Sequence, residues 1–451
     1  MSNAVIILAA GKGTRMQSDL PKVLHAVAGA PMLVHTMRSG EGIDAQRTIV
    51  VAGHGADLVE KAALDYNPDA QVVLQTEQLG TGHAVDQART ALSDFEGDVF
   101  ILYGDTPFIT HKTLQSMKNK RDSGASVVVL GFTAANAGGY GRLILADDGS
   151  LDAIVEAKDA TPEQLKVNFC NSGVICAPRD VLFDLIAKVG NDNANGEYYL
   201  TDIVALARDA GMTCAAVSCD ESETMGVNSR VDLAVAESTF QFNARHAAMI
   251  NGATLTAPET VFFAYDTIIG RDVIVEPNVV FGPDVTIESG ANIRAFSHLE
   301  GCHVSKDAII GPYARLRPGA EIGDGAKVGN FVEVKNALVA EGAKLNHLSY
   351  IGDAEVGKDA NIGAGTITCN YDGVFKHKTI IGERAFIGSN SALVAPVRVG
   401  DDAMTGSGSV ITHDVPDGDL ALGRAKQVNK VGFALRLMNK LKAAKAAKKK
   451  D

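Results

Sequence analysis

Residues 308 to 334 read AIIGPYARLRPGAEIGDGAKVGNFVEV, with an aliphatic residue at every sixth position: Ile310, Leu316, Ile322, Val328 and Val334. The same beat runs earlier through Ile269, Val275, Phe281, Ile287, Ile293 and Leu299, slips by one residue, and resumes at Val304. It returns late in the chain at Ile381, Ile387, Leu393, Val399 and Ile411. Gly often follows the aliphatic residue, and a small residue stands four positions after it, as at Ala314, Ala320, Ala326, Ala385, Ser391 and Ala403. This period is neither that of a helix nor the alternation of a sheet. It is the hexapeptide pattern of a parallel β-helix, whose coils each hold three short strands with aliphatic residues inward and small residues or Gly at the corners. No single hexapeptide buries its apolar residue alone, so the repeats must stack as one unit.

At 451 residues the chain exceeds one ordinary domain, and two or three are expected. The formal charge of −12 argues against nucleic acid or an anionic membrane as the main partner. No basic segment followed by an apolar one opens the chain, so no secretion signal is expected. Apolar runs such as Ala4 to Ala10 are too short to span a bilayer, and no membrane insertion is expected. The six Cys lack close-paired metal spacing and read as reduced packing residues of a cytoplasmic protein.

The first half has another texture. The run AVIILAA (residues 4–10) ends at Gly11 as a buried parallel strand should. Similar runs at Thr48–Val51, Val99–Leu102 and Ser126–Leu130 alternate with stretches of helical character, Leu20–Arg38 and Leu79–Leu92. That alternation predicts a Rossmann-like, doubly wound α/β sheet with ligand sites at the carboxyl ends of its strands. From Arg230 to about Ile250 turn signals are lacking, and a helical arm is expected between the halves. The organisation is therefore 1–228, a linker helix 229–250, and a solenoid 251–451. The closing KLKAAKAAKKKD reads as a solvated, disordered basic tail.

The first strand runs into LAAGKGTRM (Leu8 to Met16), followed by Leu20-Pro21-Lys22. Two Gly in three residues let backbone N–H groups approach phosphates, and Arg15 and Lys22 add positive charge. A dinucleotide fingerprint would want Gly where Met16 stands, and the Gly-Lys-Ser/Thr ending of a P-loop is absent. Gln75 and the run Gln78 to His83 offer an amide and a second Gly-rich turn. Leu102-Tyr103-Gly104-Asp105 places a carboxylate after an apolar strand, where a divalent metal facing phosphates would want it, although a lone strand-end Asp is more often a turn residue.

Together these segments resemble the sugar-nucleotide pyrophosphorylase family, whose hallmark is an LAAGxGTRM…PK loop. The likeness continues through Gly139–Arg142, Ile154–Glu156, Asn171–Gly173, Gly196–Tyr199 and Gly226–Asn228. With the hexapeptide half, nearly the whole chain resembles the bacterial bifunctional N-acetylglucosamine-1-phosphate uridyltransferases and glucosamine-1-phosphate acetyltransferases, which supply UDP-N-acetylglucosamine for peptidoglycan, lipopolysaccharide and other envelope polymers. The resemblance implies that Leu8, Ala9, Ala10, Gly11, Gln75, Gly80 and Thr81 hold uracil and ribose, with Tyr103 in the same site. Arg15 and Lys22 would neutralise the triphosphate, and Asp105 and Asn228 would hold Mg²⁺. Gly141, Glu156 and Asn171 would bind the amino sugar.

On the solenoid, Arg317 and Lys335 follow beat positions 316 and 334, where neighbouring repeats have Gly, and outward cations there suit a phosphate. Asn346 to Tyr350 brings His347 and a phenol to a nearby turn. The beat breaks between Thr368 and Ile381, and the loop Cys369–Lys378 is too long and polar for a coil corner. The resemblance makes His347 the general base for acetyl transfer from acetyl-CoA, work that suits histidine because the residue type titrates near neutrality. Arg317, Lys335 and Lys376 would bind the sugar phosphate, with Tyr350 and Asn361 beside them. Asn370, Tyr371, Ser389, Ser407 and Arg424 match positions around acetyl-CoA, although Ser407 stands where some relatives have Ala. A homotrimer with sites between subunits, and a left-handed β-helix, are likewise implied by the family. Two rivals are a single-activity nucleotidyltransferase carrying the solenoid for assembly, and a non-enzymatic scaffold. The first leaves His347, the 369–378 loop and Arg424 without purpose; the second leaves the Gly-rich loop and Asp105 without one.

Overall fold

The structure is a computed structural model that describes residues 2–193 and 195–447; the tail residues 448–451 lie outside them. Packing divides the chain into two units. The first runs to residue 250 and takes in residues 262–267, and the second holds 251–261 and the chain from 268 onward.

The first unit is built on a sheet of nine strands: β1 (Ser2–Ala9), β2 (Ala45–Ala52), β3 (Gln71–Leu74), β4 (Gly97–Tyr103), β5 (Val127–Thr133), β6 (Arg142–Leu145), β7 (Leu151–Val155), β8 (Phe169–Pro178) and β9 (Cys214–Cys219). The order is β9-β5-β8-β4-β1-β2-β3, with β6 on β8 and β7 on β6. β1 lies parallel to both β2 and β4, whereas β8 runs antiparallel between β4 and β5, so the sheet is mixed. Alternate residues of β1 feed opposite layers. Ala4 and Ile6 enter one core, and Val5 and Ile7 enter the other. A strand covered on both faces must be apolar throughout, which explains why AVIIL shows no polar alternation.

Two expected helices are shorter than the sequence pattern suggested. Leu20–Arg38 splits into a 3-10 turn (Lys22–Leu24), a two-residue hairpin (Ala26–Val27 with Ala30–Pro31) and the helix Met32–Glu41. The hairpin turns on Ala28 and Gly29 at positive φ, and Pro31 can open the next helix but not lie inside one. Leu79–Leu92 holds only the helix Thr81–Asp86 and a later 3-10 turn. The helix Arg230–Ile250 starts with a reciprocal cap: Asp232 Oδ2 accepts from Ser229 N at 2.9 Å, and Ser229 Oγ accepts from Asp232 N at 3.2 Å. It packs into the first unit through buried Ala236 and Gln241, and the Gln241 amide exchanges two hydrogen bonds with the backbone of Phe263 at 2.7 and 2.8 Å.

In the second unit the hexapeptide beat becomes three inward columns of a parallel β-helix. One column pairs Val275, Ile293, Ile310, Val328, Leu345, Ile362 and Ile387 rung on rung. A second stacks Leu299, Leu316, Val334 and Ile351, and a third Ile287, Val304, Ile322, Val339 and Val356. All are buried. These stacked parallel coils are consistent with the left-handed β-helix expected from the repeats. Corners use the left-handed backbone region, commonly at Asp or Asn, but one corner column carries Phe296, Tyr313 and Phe331 there. Aromatic residues rarely adopt positive φ, and stacking at centroid distances of 4.8 and 5.1 Å offsets the strain.

The chain ends in a helix, Phe433–Ala447, that buries none of its residues. As far as Ala447 the tail is solvated as expected, but it is helical rather than disordered, and the closing KKKD lies outside the described residues. Its Ala, Leu and Lys are strong helix formers, which the charge pattern alone does not reveal.

Candidate functional site

The first unit holds a cavity of about 270 Å³ at the carboxyl ends of β1 and β4. Leu8, Ala9, Ala10 and Gly11 line one side, Gln75, Gly80 and Thr81 another, and Lys22, Tyr103 and Asp105 a third. The sequence did not single out Gln78 or Glu197 as ligand contacts, yet both join this lining. Both belong to motifs already quoted, Gln78 in the run to His83 and Glu197 in Gly196–Tyr199, but only a tertiary strap brings Glu197 to the cavity. Tyr198 N donates to Leu79 O and Gly82 N to Tyr198 O, both at 2.8 Å, while Leu200 N donates to Thr81 Oγ1 at 3.0 Å. Gly80 sits at φ +114 under this strap, where a Cβ would lie 2.5 Å from the Tyr198 carbonyl oxygen. Gly11 differs, since a Cβ there meets nothing within 4 Å. No packing contact requires its smallness, and its missing side chain leaves that wall of the cavity open.

Lys22 reaches Asp105 Oδ2 and donates to Asn228 Oδ1 at 3.1 Å. Asn228 comes from far along the chain, and the bond from Val227 N to Asp105 O at 2.9 Å fixes the approach. Two oxygen donors thus converge on one cation, a donor set that fits a hard divalent metal sharing phosphate ligands. Among the described residues no group of three or more His, Cys, Asp or Glu forms a closed metal cage. Arg15 is exposed in a 3-10 turn and does not line the cavity.

Tyr103 joins this cavity to the predicted sugar residues. Burial first, then the charges of Asp105 and Glu156, push its phenol above the ordinary tyrosine range. Its ring rests against Gly173, where a Cβ would lie 2.7 Å away. Asn171 N donates to Gly141 O at 2.8 Å, and a Cβ on Gly141 would touch Glu156 Oε1, so Gly141, Glu156 and Asn171 do come together. Glu156 also lines a second cavity of about 550 Å³ with Lys158 and Tyr199, and burial raises its carboxyl above the usual range.

On the solenoid, the pairing of Leu316 with Val334 puts Arg317 and Lys335 on adjacent rungs. Arg317 is paired with Glu333 at 2.8 Å. The ammonium of Lys376, beside that of Lys335, pulls Lys335 below the ordinary lysine range, with Arg317 adding to the effect. Tyr350 lies close enough to act on Arg317 and Lys376 electrostatically. Burial opposes ionisation of Asp353, but hydrogen bonds from Asn336 and Asn370 and the charges of Lys376 and Lys335 carry its carboxyl below the usual range. Three cations thus crowd one face, as an anion site requires.

The 369–378 loop is a small hairpin closed by a Tyr371–Lys376 bridge. Asp372 Oδ1 accepts from Val374 N and Phe375 N at 2.8 and 2.7 Å, and Asp372 Oδ2 meets His377 Nε2 at 2.7 Å. His377 first, then these amides, hold the Asp372 carboxyl down at about 2. The hairpin exposes Tyr371, Val374 and Phe375.

His347 is exposed, and its Nδ1 lies 2.9 Å from Asn330 Oδ1. With the Asn330 amide oxygen toward the ring, Nδ1 carries the hydrogen, and a neutral ring then has Nε2 as its acceptor. Asn361 lies one rung on from the strand of His347. Ser389, Ser407 and Arg424 form a further chain: Gly408 N donates to Ser389 O, and Arg424 Nη1 to Ser407 O, both at 2.7 Å. Asn330, Glu333 and Asp353 are the site residues that sequence reading missed. Asn330 was within reach, because it precedes His347 by 17 residues, one coil, in direct register. Asn330→Ala should lower kcat for acetyl transfer about fivefold to tenfold, the worth of one hydrogen bond, with KM little changed. Steady-state kinetics check this, and an unchanged kcat would remove the orienting role.

A cation-bearing cavity at the ends of parallel strands, carried with a hexapeptide solenoid, defines a nucleotidyltransferase joined to a second transferase fold. Residues 5–165 match the MobA-like NTP transferase domain, and residues 266–301, 301–336 and 378–413 match the bacterial transferase hexapeptide model. The chain is 63% identical over 450 residues to the bifunctional protein GlmU of Ruegeria sp., with all of each chain covered. It is 62% identical to that of Jannaschia sp. and 60% identical to one from Cereibacter sphaeroides, in both cases over 99% of this chain and 98% of the relative. The chain belongs to the GlmU family of bifunctional proteins. No described helix is long and apolar enough to cross a membrane.

Proposed function

We propose that this chain acetylates glucosamine-1-phosphate with acetyl-CoA on its solenoid and then joins the product to UTP in its first unit, giving UDP-N-acetylglucosamine and pyrophosphate. Residues 1–228 carry uridylyl transfer, 251–451 acetyl transfer, and 229–250 lie between. The observation that carries this reading is the presence of two separate sets of converging groups, one around Lys22, Asp105 and Asn228, the other around Arg317, Lys335 and Lys376. Each suits a phosphate.

In uridylyl transfer, a phosphate oxygen of N-acetylglucosamine-1-phosphate attacks the α-phosphorus of UTP in line, and pyrophosphate leaves. Lys22, and Arg15 from the mouth, oppose the charge on the phosphates, and the Gly-rich loops bring backbone N–H groups close. Asp105 and Asn228 would hold Mg²⁺, which when bound neutralises and aligns the phosphates. Gly141, Glu156 and Asn171 fix the sugar. No general base is required.

In acetyl transfer, Arg317, Lys335 and Lys376 hold the sugar phosphate. The amine attacks the thioester carbonyl, its proton passes to His347 Nε2, and CoA leaves as thiolate. Tyr350 and Asn361 border the sugar, while Asn370, Tyr371, Ser389, Ser407 and Arg424 bind acetyl-CoA.

The active assembly is a homotrimer in which the exposed hairpin tip completes a neighbouring site. Deleting residues 372–375 should abolish acetyl transfer and leave uridylyl transfer within about twofold. Sedimentation with both assays checks this, and a fully active monomer would refute it. The defining experiment supplies glucosamine-1-phosphate, acetyl-CoA, UTP and Mg²⁺ and follows CoA thiol and pyrophosphate separately. Release of both, with pyrophosphate lagging, is expected. Pyrophosphate from N-acetylglucosamine-1-phosphate with no CoA released from the amine would reduce the solenoid to an assembly module.

A further inference from the structure

Gln75 borders the first cavity with its amide nitrogen fully committed. Nε2 donates to the Gly80 carbonyl oxygen at 3.2 Å, an atom that can only accept, so the nitrogen and oxygen of this amide are assigned. The same nitrogen lies 3.1 Å from Nδ1 of His83. That contact is a hydrogen bond only if Nδ1 bears a lone pair, which places the hydrogen of the neutral ring on Nε2. On the other side of the ring, Gln87 Nε2 lies 3.2 Å from His83 Nε2 and donates to the His83 carbonyl at 3.0 Å. One neutral ring cannot accept from both amides. Gln75 is 4% exposed and Gln87 is only half-buried, so an unmade bond costs more at Gln75. Gln87 can turn its oxygen to the ring or face water. Among the described residues nothing donates to Gln75 Oε1, which is therefore the part of this amide left for a ligand.

We propose that His83 is a positioning residue that holds the Gln75 amide with its oxygen toward the nucleobase. The cavity thereby selects a base presenting a ring N–H, as uracil does, over cytosine, whose corresponding ring nitrogen is an acceptor. The inference rests on the uridylyl reading of this cavity, in which Gln75 already faces the base, and adds His83 as the residue that fixes which atom of that amide the base meets. Cytosine would bring a lone pair against Oε1. Turning the amide to suit it would give up the bond to Gly80, set oxygen against the Gly80 carbonyl, and keep a bond to His83 only if the ring moved its hydrogen from Nε2 to Nδ1. A site built to accept a substrate N–H rejects the analogue lacking it because its buried polar atom is left unpaired.

The test compares kcat/KM for UTP and CTP in the full-length enzyme, read as pyrophosphate release with N-acetylglucosamine-1-phosphate. His83→Phe keeps the ring and removes its acceptor, and the UTP/CTP ratio should fall about tenfold. His83→Asn sets an amide oxygen close to where Nδ1 was and should keep the ratio within about twofold. An equal loss on both nucleotides in His83→Phe, or a ratio in His83→Asn that falls as far as in His83→Phe, would overturn the proposal. If His83→Phe does not fold, the ring tautomer decides, measured by nitrogen-15 NMR of labelled His83 in the UTP complex. Hydrogen on Nε2 supports the arrangement and hydrogen on Nδ1 refutes it. A wild-type enzyme releasing no pyrophosphate from UTP would instead remove the uridylyl reading itself.

Discussion

Replacing His347 by alanine should lower acetyl transfer by about 10²–10⁴-fold, the usual contribution of a positioned general base, while uridylyl transfer stays within about twofold of wild type. The selectivity follows from where the residue stands. His347 is exposed on the solenoid, its side chain meets Asn330 among the described residues, and its removal opens no cavity in the inward columns. The KM for glucosamine-1-phosphate should change little, because the phosphate is assigned to Arg317, Lys335 and Lys376. The check is CoA release at saturating substrates on a variant shown to keep the wild-type melting curve. Retained CoA release would remove the base from the mechanism, and a loss of both activities would point to misfolding instead.

Asp105→Ala should have the converse effect, lowering uridylyl transfer by about 10²–10³-fold with acetyl transfer intact. The substitution deletes one of the two oxygen donors that face Lys22 and leaves Asn228 alone with a cation. It spares the backbone bond from Val227 N to Asp105 O, so the Gly226–Asn228 segment should keep its place. Pyrophosphate release against Mg²⁺ concentration, with calorimetric titration of Mg²⁺ and UTP, tests the assignment. Wild-type rates across the Mg²⁺ range would sink the metal-ligand role.

Much of the solenoid was legible because its physics is one-dimensional. Each aliphatic residue contacts its equivalents one coil away, so burial at Ile310, Leu316 and Ile322 is written directly as a period. The first cavity was legible for a related reason, since Leu8 to Gly11 and Tyr103 to Asp105 stand at the carboxyl ends of neighbouring parallel strands, and such strand ends line ligand clefts. The misread segments are those where a local break interrupts helical character. Leu20–Arg38 has helical character, but positive φ at Ala28 and Gly29 and the proline at 31 break it.

What the sequence by itself determined is what repeats or lies local to a strand end: the β-helix, the α/β unit, the Gly-rich loops and the residue types able to handle phosphate. What only the tertiary structure decided are the pairings across long separations. Lys22 meets Asn228, Glu197 enters the cavity through the Tyr198 strap, Asn330 meets Nδ1 of His347, and His83 with Gly80 commits the Gln75 amide. The reason is physical. Apolar burial is nondirectional and leaves its trace as a period in composition, whereas a hydrogen bond or ion pair depends on the placement of two specific atoms, which only the folded chain supplies.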